Sequence, residues 1–103
     1  MKFKDIEPIQ HPSYPAFDKQ WKVEFENGNG LSIVNGNHAY CDKDTYEIAP
    51  LYNGHLLSEG VDAWGDQVKG YVTEDLINEI LEHAENEKPE IFIKYLNTIR
   101  EIG

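Results

Sequence analysis

The chain has 103 residues, with nineteen acidic residues against nine lysine and arginine residues and a formal net charge of −10 at pH 7. This length fits a single domain, residues 1–103, and 40% hydrophobic with 12% aromatic residues predicts a folded globule rather than a disordered chain. A surface this acidic repels nucleic acid and anionic membranes. We therefore expect basic partners, and we expect neither direct nucleic-acid binding nor membrane contact.

Cysteine content and hydropathy predict the compartment. The only cysteine, Cys41, excludes an internal disulfide and favours a reducing environment. The N-terminal sequence has no apolar run of signal-peptide length, and no run reaches the roughly eighteen residues expected of a membrane-spanning helix. We therefore expect a soluble protein of the cytoplasm.

The first part of the chain predicts an arm followed by a hairpin. Residues 1–20 contain three prolines without a sustained hydrophobic period, which predicts an irregular N-terminal arm with a short strand. Residues 20–26 alternate between large apolar and charged side chains, the pattern of a half-buried strand. In residues 27–36, three Asn-Gly pairs flank an apolar run, two before it and one after it. Asn-Gly between alternating runs is the strongest short-range hairpin signal.

The glycines of residues 27–36 also raise the alternative of a phosphate-binding loop. A P-loop needs a Gly-Lys-Ser/Thr ending before a helix, and a dinucleotide fingerprint must open a helix. Here Gly28 and Gly30 precede a β-rich run at residues 31–34, and acidic neighbours such as Glu26 would repel a phosphate. The pattern therefore favours a hairpin turn.

Further strands are predicted over residues 45–52, 56–58 and 67–72, with a turn at residues 53–55 between the first two. Pro50 cannot donate to a strand ladder, so its strand is expected to be an edge strand or to end near the proline. Successive hairpins make an antiparallel β-meander of four to five short strands.

Helices are predicted at the C-terminal end. Thr73 is a suitable N-cap for a helix over residues 74–86, in which apolar residues form one stripe. Pro89 suits the first position of a second helix, whose apolar positions extend to Ile102. The sequence thus predicts an α+β domain, in which two C-terminal helices pack on one face of the meander.

No residue pattern in the sequence indicates an enzyme. His38 and Cys41 have a His-x-x-Cys spacing, but a zinc site needs a second pair of ligands. Residues 41–47 place carboxylates at alternate positions, as in a calcium loop, but the central Gly and the closing Glu are missing, so we predict a polar turn there. The serines lack a nucleophile-elbow context, and close carboxylate pairs arise by chance in so acidic a chain. We expect no catalytic residue, no cofactor and no metal.

The negative charge is concentrated between Glu59 and Glu90, where ten carboxylates accompany two basic residues. One interpretation is a solvated helix face that keeps a small protein soluble. The other is a docking surface for a basic protein, formed by carboxylates of the first helix together with an aromatic residue of the preceding loop. The candidate partner-binding residues are Glu74, Asp75, Glu79, Glu82, Glu85 and Trp64.

Aromatic and apolar residues leave other functions open. Trp64 would mark a contact site if it were exposed, whereas packing on the core is the ordinary arrangement of a Trp. Trp21, Trp64 and Tyr71 could instead line a small-molecule pocket between the sheet and the helices. The second helix carries apolar residues on most of its surface, which would fit a homodimer or a structural homo-oligomer.

Segments of the sequence resemble a group of small uncharacterised proteins of tailed bacteriophages and prophages. These segments are the hairpin FENGNGLSIV (25–34), the strand YEIAPL (46–51) and the strand-to-helix junction DQVKGYVTED (66–75), which have the same order in that group. The resemblance covers residues 21–82; it departs at Pro50, where the group usually has Val, and after Lys88. It implies a common fold, a phage origin and expression inside a bacterium, and it implies no reaction or cofactor.

A phage origin favours function by binding, because small acidic phage proteins often bind host enzymes, defence nucleases or phage machinery. A basic groove built for nucleic acid would attract a surface that repeats negative charge as DNA does. We therefore expect a non-enzymatic interaction protein, for example a counter-defence inhibitor of a host or defence nucleic-acid-binding protein.

Overall fold

The structure is a computed structural model that describes residues 1–9, 17–36, 39–58 and 60–99. These residues form a five-stranded antiparallel sheet followed by two α-helices, which confirms the predicted α+β class. The strands are β1 (Phe17–Glu24), β2 (Asn29–Gly36), β3 (Tyr46–Tyr52), β4 (His55–Leu56) and β5 (Lys69–Val72). The helices are α1 (Glu74–Asn86) and α2 (Pro89–Leu96), and 3₁₀ turns occur at Phe3–Asp5 and Asp62–Trp64.

The sheet follows the predicted meander from β1 to β4, each strand pairing with the next. β5 then pairs with β3, on the same side as β4. β3 is therefore internal rather than an edge strand, but it ends at Tyr52, close to Pro50, which is the other arrangement predicted for it. Pro50 lies between Ile48, which pairs with β5, and Leu51, which pairs with β4. Neither β4 nor β5 pairs with Pro50. The lack of an amide hydrogen on Pro50 therefore costs no hydrogen bond to these strands.

Part of the segment predicted as an irregular arm, residues 1–20, belongs to the folded body. The ring of Phe3 is 4% exposed and packs edge-to-face on Trp21 and on Tyr46, at centroid distances of 4.9 Å. The Phe3 amide donates to Oδ1 of Asn78 in α1 at 2.8 Å. The predicted arm also extended too far, because β1 begins at Phe17; residues 10–16 lie outside the described part of the chain.

The core lies between one face of the sheet and the helices. Alternation along β2 places Leu31 and Ile33 on this face, where both are fully buried. The apolar stripe of α1 packs against them, so helix and sheet remove each other's apolar surface from water. The buried core residues are Phe3, Leu31, Ile33, Ile48, Val61, Val72, Ile77, Ile80, Leu81, Ala84, Phe92 and Leu96.

The first helix has the predicted bounds, and its cap explains where it starts. Oγ1 of Thr73 accepts a hydrogen bond from the Leu76 amide at 3.3 Å, as expected of an N-cap residue. Glu74 and Asp75 occupy the first turn, where the positive end of the helix dipole favours carboxylates.

The second helix begins at Pro89, as predicted, but it is shorter than its apolar pattern indicates. It ends at Leu96, and the Asn97 side chain donates to the Ile93 carbonyl oxygen at 3.0 Å. The apolar positions beyond Leu96 therefore do not continue this helix directly, and Ile102 lies outside the described residues.

Candidate functional site

The glycine-rich segment of residues 27–36 forms the predicted β1–β2 turn and also caps the end of α1. Nδ2 of Asn27 donates to the carbonyl oxygens of Ala84 and Glu87, both at 2.8 Å. Nδ2 of Asn29 donates to the same two oxygens, at 3.0 and 2.8 Å. The last carbonyl groups of a helix have no donor within the helix. The turn supplies these donors and so fixes α1 against the sheet.

The orientation of α1 exposes the predicted partner-binding carboxylates. Ile77, Ile80, Leu81 and Ala84 are buried against the core, which directs the opposite side of the helix to solvent. The nominated carboxylates are all exposed on this one helix: Glu74, Asp75, Glu79, Glu82 and Glu85. We call these five side chains the acidic surface of α1.

Part of the acidic surface lines a cleft. Glu79, Glu82 and Glu85 follow each other at spacings that bring side chains together on a helix. With Met1, Lys2, Asn78 and Asn86 they line a concave region of about 370 Å³. The terminal ammonium group of Met1 lies 2.8 Å from Oε1 of Glu85. The cleft thus has a size and charge that accommodate an ammonium group.

The other carboxylates of the acidic surface have few cationic neighbours. Across the described ranges, the ion pairs are Met1 with Glu85 and His83 with Glu87. No lysine or arginine side chain in that part of the chain pairs with the acidic surface. Four carboxylates can therefore interact with cationic groups of another molecule: Glu74, Asp75, Glu79 and Glu82.

A stacked aromatic pair joins α1 to α2 beside the acidic surface. The rings of His83 and Tyr95 stack with a centroid distance of 3.6 Å and an interplanar angle of 15°. Nδ1 of His83 lies 3.0 Å from Oε1 of Glu87, although the contact lacks the alignment of a hydrogen bond. The stack helps hold the two helices at a fixed angle.

The hydroxyl group of Tyr95 is buried without a hydrogen-bond partner among the described residues. Glu79 lies close by, but the contact does not meet the geometry of a regular hydrogen bond. Burial, and then the negative charges of Glu79 and Glu87, raise the pKa of Tyr95 well above its ordinary value of 10.0. The hydroxyl therefore stays protonated at neutral pH.

Trp64, the aromatic candidate for partner binding, packs onto the body of the protein. Its Nε1 donates to the Ile99 carbonyl oxygen at 2.8 Å, and its ring is partly buried against the core. Trp64 thus packs on the core, which is the ordinary arrangement of a Trp, rather than marking an exposed contact site. Trp21 packs in the core and Tyr71 is 64% exposed. Neither the cleft described above nor the groove described next is lined by Trp21, Trp64 or Tyr71.

A larger concave surface, the β4–α2 groove, lies between the β3–β4 hairpin and α2. It has a volume of about 700 Å³, and its lining includes Tyr52, Leu56, Asp62, Glu90 and Ile93. Sequence patterns do not reveal this groove, because its walls come from segments far apart in the chain. The sequence feature that relates to this groove is the excess of apolar residues on α2, and that feature alone also fits a dimer interface.

The acidic stretch that resembles a calcium loop forms a polar turn, as predicted. Oδ1 of Asp42 accepts hydrogen bonds from the Thr45 hydroxyl at 2.9 Å and from the Asp44 amide at 3.0 Å. The Thr45 hydroxyl, followed by the Asp44 amide, holds the pKa of Asp42 below its usual value. The carboxylate is therefore used to close the turn on itself.

A metal site needs His, Cys, Asp or Glu side chains that lie close together. His38 lies outside the described residues, so its position relative to Cys41 is not defined. Within the described ranges, no group of three or more His, Cys, Asp or Glu side chains could hold a metal ion. The same ranges contain no helix with the length and apolar character needed to cross a bilayer.

Comparison of the chain with models of protein families, with curated proteins and with solved structures gave no match. The resemblance to phage proteins therefore stays a prediction from the sequence. In structural terms the chain is an α+β domain that carries an acidic helix surface and an apolar groove, and its function has to be argued from these two features.

Proposed function

We propose that this protein is a non-enzymatic interaction protein that binds a basic protein through the acidic surface of α1. One observation carries the proposal: Glu74, Asp75, Glu79, Glu82 and Glu85 are exposed on one helix, without lysine or arginine partners in the described ranges. Glu85 pairs with the Met1 ammonium group, and the other four carboxylates can form charge-assisted hydrogen bonds with incoming lysine or arginine side chains.

The spacing of these charges suits a nucleic-acid-binding partner. The acidic surface runs from Glu74 to Glu85 of α1, so it extends over about 16 Å at a rise of about 1.5 Å per residue. A basic groove that binds DNA recognises a row of phosphates on a comparable scale and gains affinity from counterion release. The contact between the Met1 ammonium group and Glu85, at 2.8 Å, supports the proposal in that a carboxylate of this surface already pairs with an ammonium group.

The biological setting that we propose follows from the sequence. The resemblance over residues 21–82 favours a phage origin, and the net charge of −10 favours a basic partner. We place the protein in the cytoplasm of a bacterial host, with a host or phage protein as its partner. Inhibition of a host or defence nucleic-acid-binding protein is the activity most consistent with a surface that imitates phosphate charge.

The proposal is tested by affinity capture from bacterial lysate, followed by reconstitution with the purified partner. Binding is measured as ionic strength rises from about 0.1 M to about 1 M, over which the Debye length falls from about 10 Å to about 3 Å. The test variant replaces Glu79, Glu82 and Glu85 by Lys. We expect a basic partner that binds at low salt, dissociates at high salt and fails to bind the variant.

A matched control separates the surface from net charge. The control variant replaces Glu7, Glu24 and Asp44 by Lys; all three are exposed and lie outside α1. It changes the net charge as much as the test variant does, and circular dichroism checks that both variants remain folded. If the two variants lose binding equally, or if binding does not depend on salt, the acidic surface is not the binding site and the proposal fails.

A further inference from the structure

We infer that the β4–α2 groove is a second contact surface, which binds a segment of a partner protein in which apolar side chains are flanked by lysine or arginine. The inference rests on the proposed function to the extent that it also requires a basic partner. It concerns a different surface, however, since no residue of the acidic surface lines the groove.

The groove has exposed apolar side chains in its lining. Tyr52 is 46% exposed, Leu56 is 48% exposed and Ile93 is 36% exposed, and all three line the same concavity. Single exposed apolar side chains are ordinary, but a group that shares one concave surface is typical of a binding site. A partner's apolar side chain would remove this surface from water.

The walls of the groove are held in place by hydrogen bonds. Oδ1 of Asn97 accepts from the Ala63 amide at 2.8 Å, which ties the 3₁₀ turn to the end of α2. Nε2 of Gln67 donates to the Leu57 carbonyl oxygen at 2.9 Å, next to β4. A groove whose walls are fixed before binding loses less conformational entropy when a ligand enters.

The charge of the groove identifies its occupant. Asp62 and Glu90 line it and are exposed, and no lysine or arginine side chain is part of its lining among the described residues. A second copy of the chain would bring a net charge of −10 against the same acidic groups and would be repelled. A segment with apolar side chains between basic ones matches both the apolar lining and the carboxylates.

The test uses the full chain labelled with ¹⁵N and a capped synthetic probe peptide, Lys-Lys-Leu-Leu-Lys-Lys. One control peptide replaces the leucines by serine, and another replaces the lysines by glutamate. We expect the probe to shift the amide resonances of Tyr52, Leu56 and Ile93, and to bind at least about tenfold more tightly than either control, which corresponds to about 1.4 kcal/mol. Ile93→Ser should weaken binding of the probe by a similar factor.

Variants separate this inference from the proposed function. The variant with lysine at positions 79, 82 and 85 should still bind the probe in the groove, even if it no longer captures the partner. Glu90→Gln should weaken binding of the probe and should not weaken binding of the peptide in which glutamate replaces lysine. The inference is overturned if shifts are confined to α1, if the serine peptide binds equally well, or if Ile93→Ser has no effect. It is also overturned if sedimentation shows a dimer that buries the groove.

Discussion

Nδ2 of Asn29 donates to the carbonyl oxygen of Ala84 at 3.0 Å, so a turn residue of the sheet closes the last turn of α1. Asn29 is 2% exposed, and its Nδ2 also donates to the Glu87 carbonyl oxygen at 2.8 Å. The helix that carries the acidic surface is thus fixed at its C-terminal end by the β1–β2 hairpin.

Replacement of Asn29 by Ala should destabilise the protein. The variant removes the Asn29 donor from the carbonyl oxygens of Ala84 and Glu87, which keep their hydrogen bonds from Asn27. A typical intramolecular hydrogen bond contributes about 0.5–1.5 kcal/mol, so the loss of two should cost about 1–3 kcal/mol. Urea denaturation measures the change in the free energy of unfolding. Asn86→Ala is the control, because Asn86 is exposed and its Nδ2 bonds only to Glu82 of its own helix; it should cost less than about 0.5 kcal/mol. Equal losses would show that the cap does not stabilise the fold.

Two glycines of the segment between β4 and β5 form a natural matched pair. Gly60 has φ +70° and Gly65 has φ +65°, so alanine at either position incurs the left-handed strain of about 1–2 kcal/mol. A Cβ at Gly60 would also lie 2.6 Å from the Asp66 carbonyl oxygen, whereas a Cβ at Gly65 meets nothing within 4 Å. Gly60→Ala should therefore lower the melting temperature clearly more than Gly65→Ala. The reverse order in thermal denaturation would contradict this backbone contact.

The local elements of the fold could be predicted from the sequence, because their signals are local. Thr73 and the apolar stripe after it define α1, and the Asn-Gly pairs define the first turn. The pairing of β5 with β3 was not predicted, because it joins residues far apart in sequence through an irregular register. The same applies to Asn29, whose helix-capping role depends on the docking of α1 against the hairpin.

The candidate site divides in the same way. Exposure of Glu79 and Glu82 follows from helical periodicity, so it was predictable, whereas the orientation of Trp64 depends on the Ile99 carbonyl oxygen, a tertiary contact. The β4–α2 groove is harder still to predict, because Leu56 and Ile93 meet there only in three dimensions. Sequence patterns report the faces of single elements but not the concavities between them.

Replacement of Thr73 by Ala should weaken the start of α1. The Thr73 hydroxyl accepts the Leu76 amide at 3.3 Å, and loss of an N-cap side chain typically costs about 1 kcal/mol. Thr73→Ser is the control, since it keeps the hydroxyl and should retain most of the stability. Hydrogen exchange of the Leu76 and Ile77 amides measures the local effect. Protection that is unchanged in Thr73→Ala would show that the cap does not hold this turn.

The buried hydroxyl of Tyr95 predicts a dependence of stability on alkaline pH. Because the pKa of Tyr95 is raised in the folded state, its stabilising contribution is complete below the unfolded value of about 10 and is lost as pH rises through the folded pKa. Tyr95→Phe removes that dependence, and it also removes a hydroxyl without a partner among the described residues.

We therefore expect Tyr95→Phe to be at least as stable as the natural protein at neutral pH. Its unfolding free energy should fall less steeply above pH 10, since the unperturbed tyrosine pKa is about 10. Some decrease of the unfolding free energy with rising pH should remain in this variant, because burial also raises the pKa of Tyr46. Tyr52→Phe is the control, because Tyr52 is 46% exposed. Denaturant titrations at neutral and alkaline pH measure these slopes. A marked loss of stability in Tyr95→Phe at neutral pH would instead mean that the Tyr95 hydroxyl forms a stabilising hydrogen bond, for which the Glu79 carboxylate is the candidate acceptor.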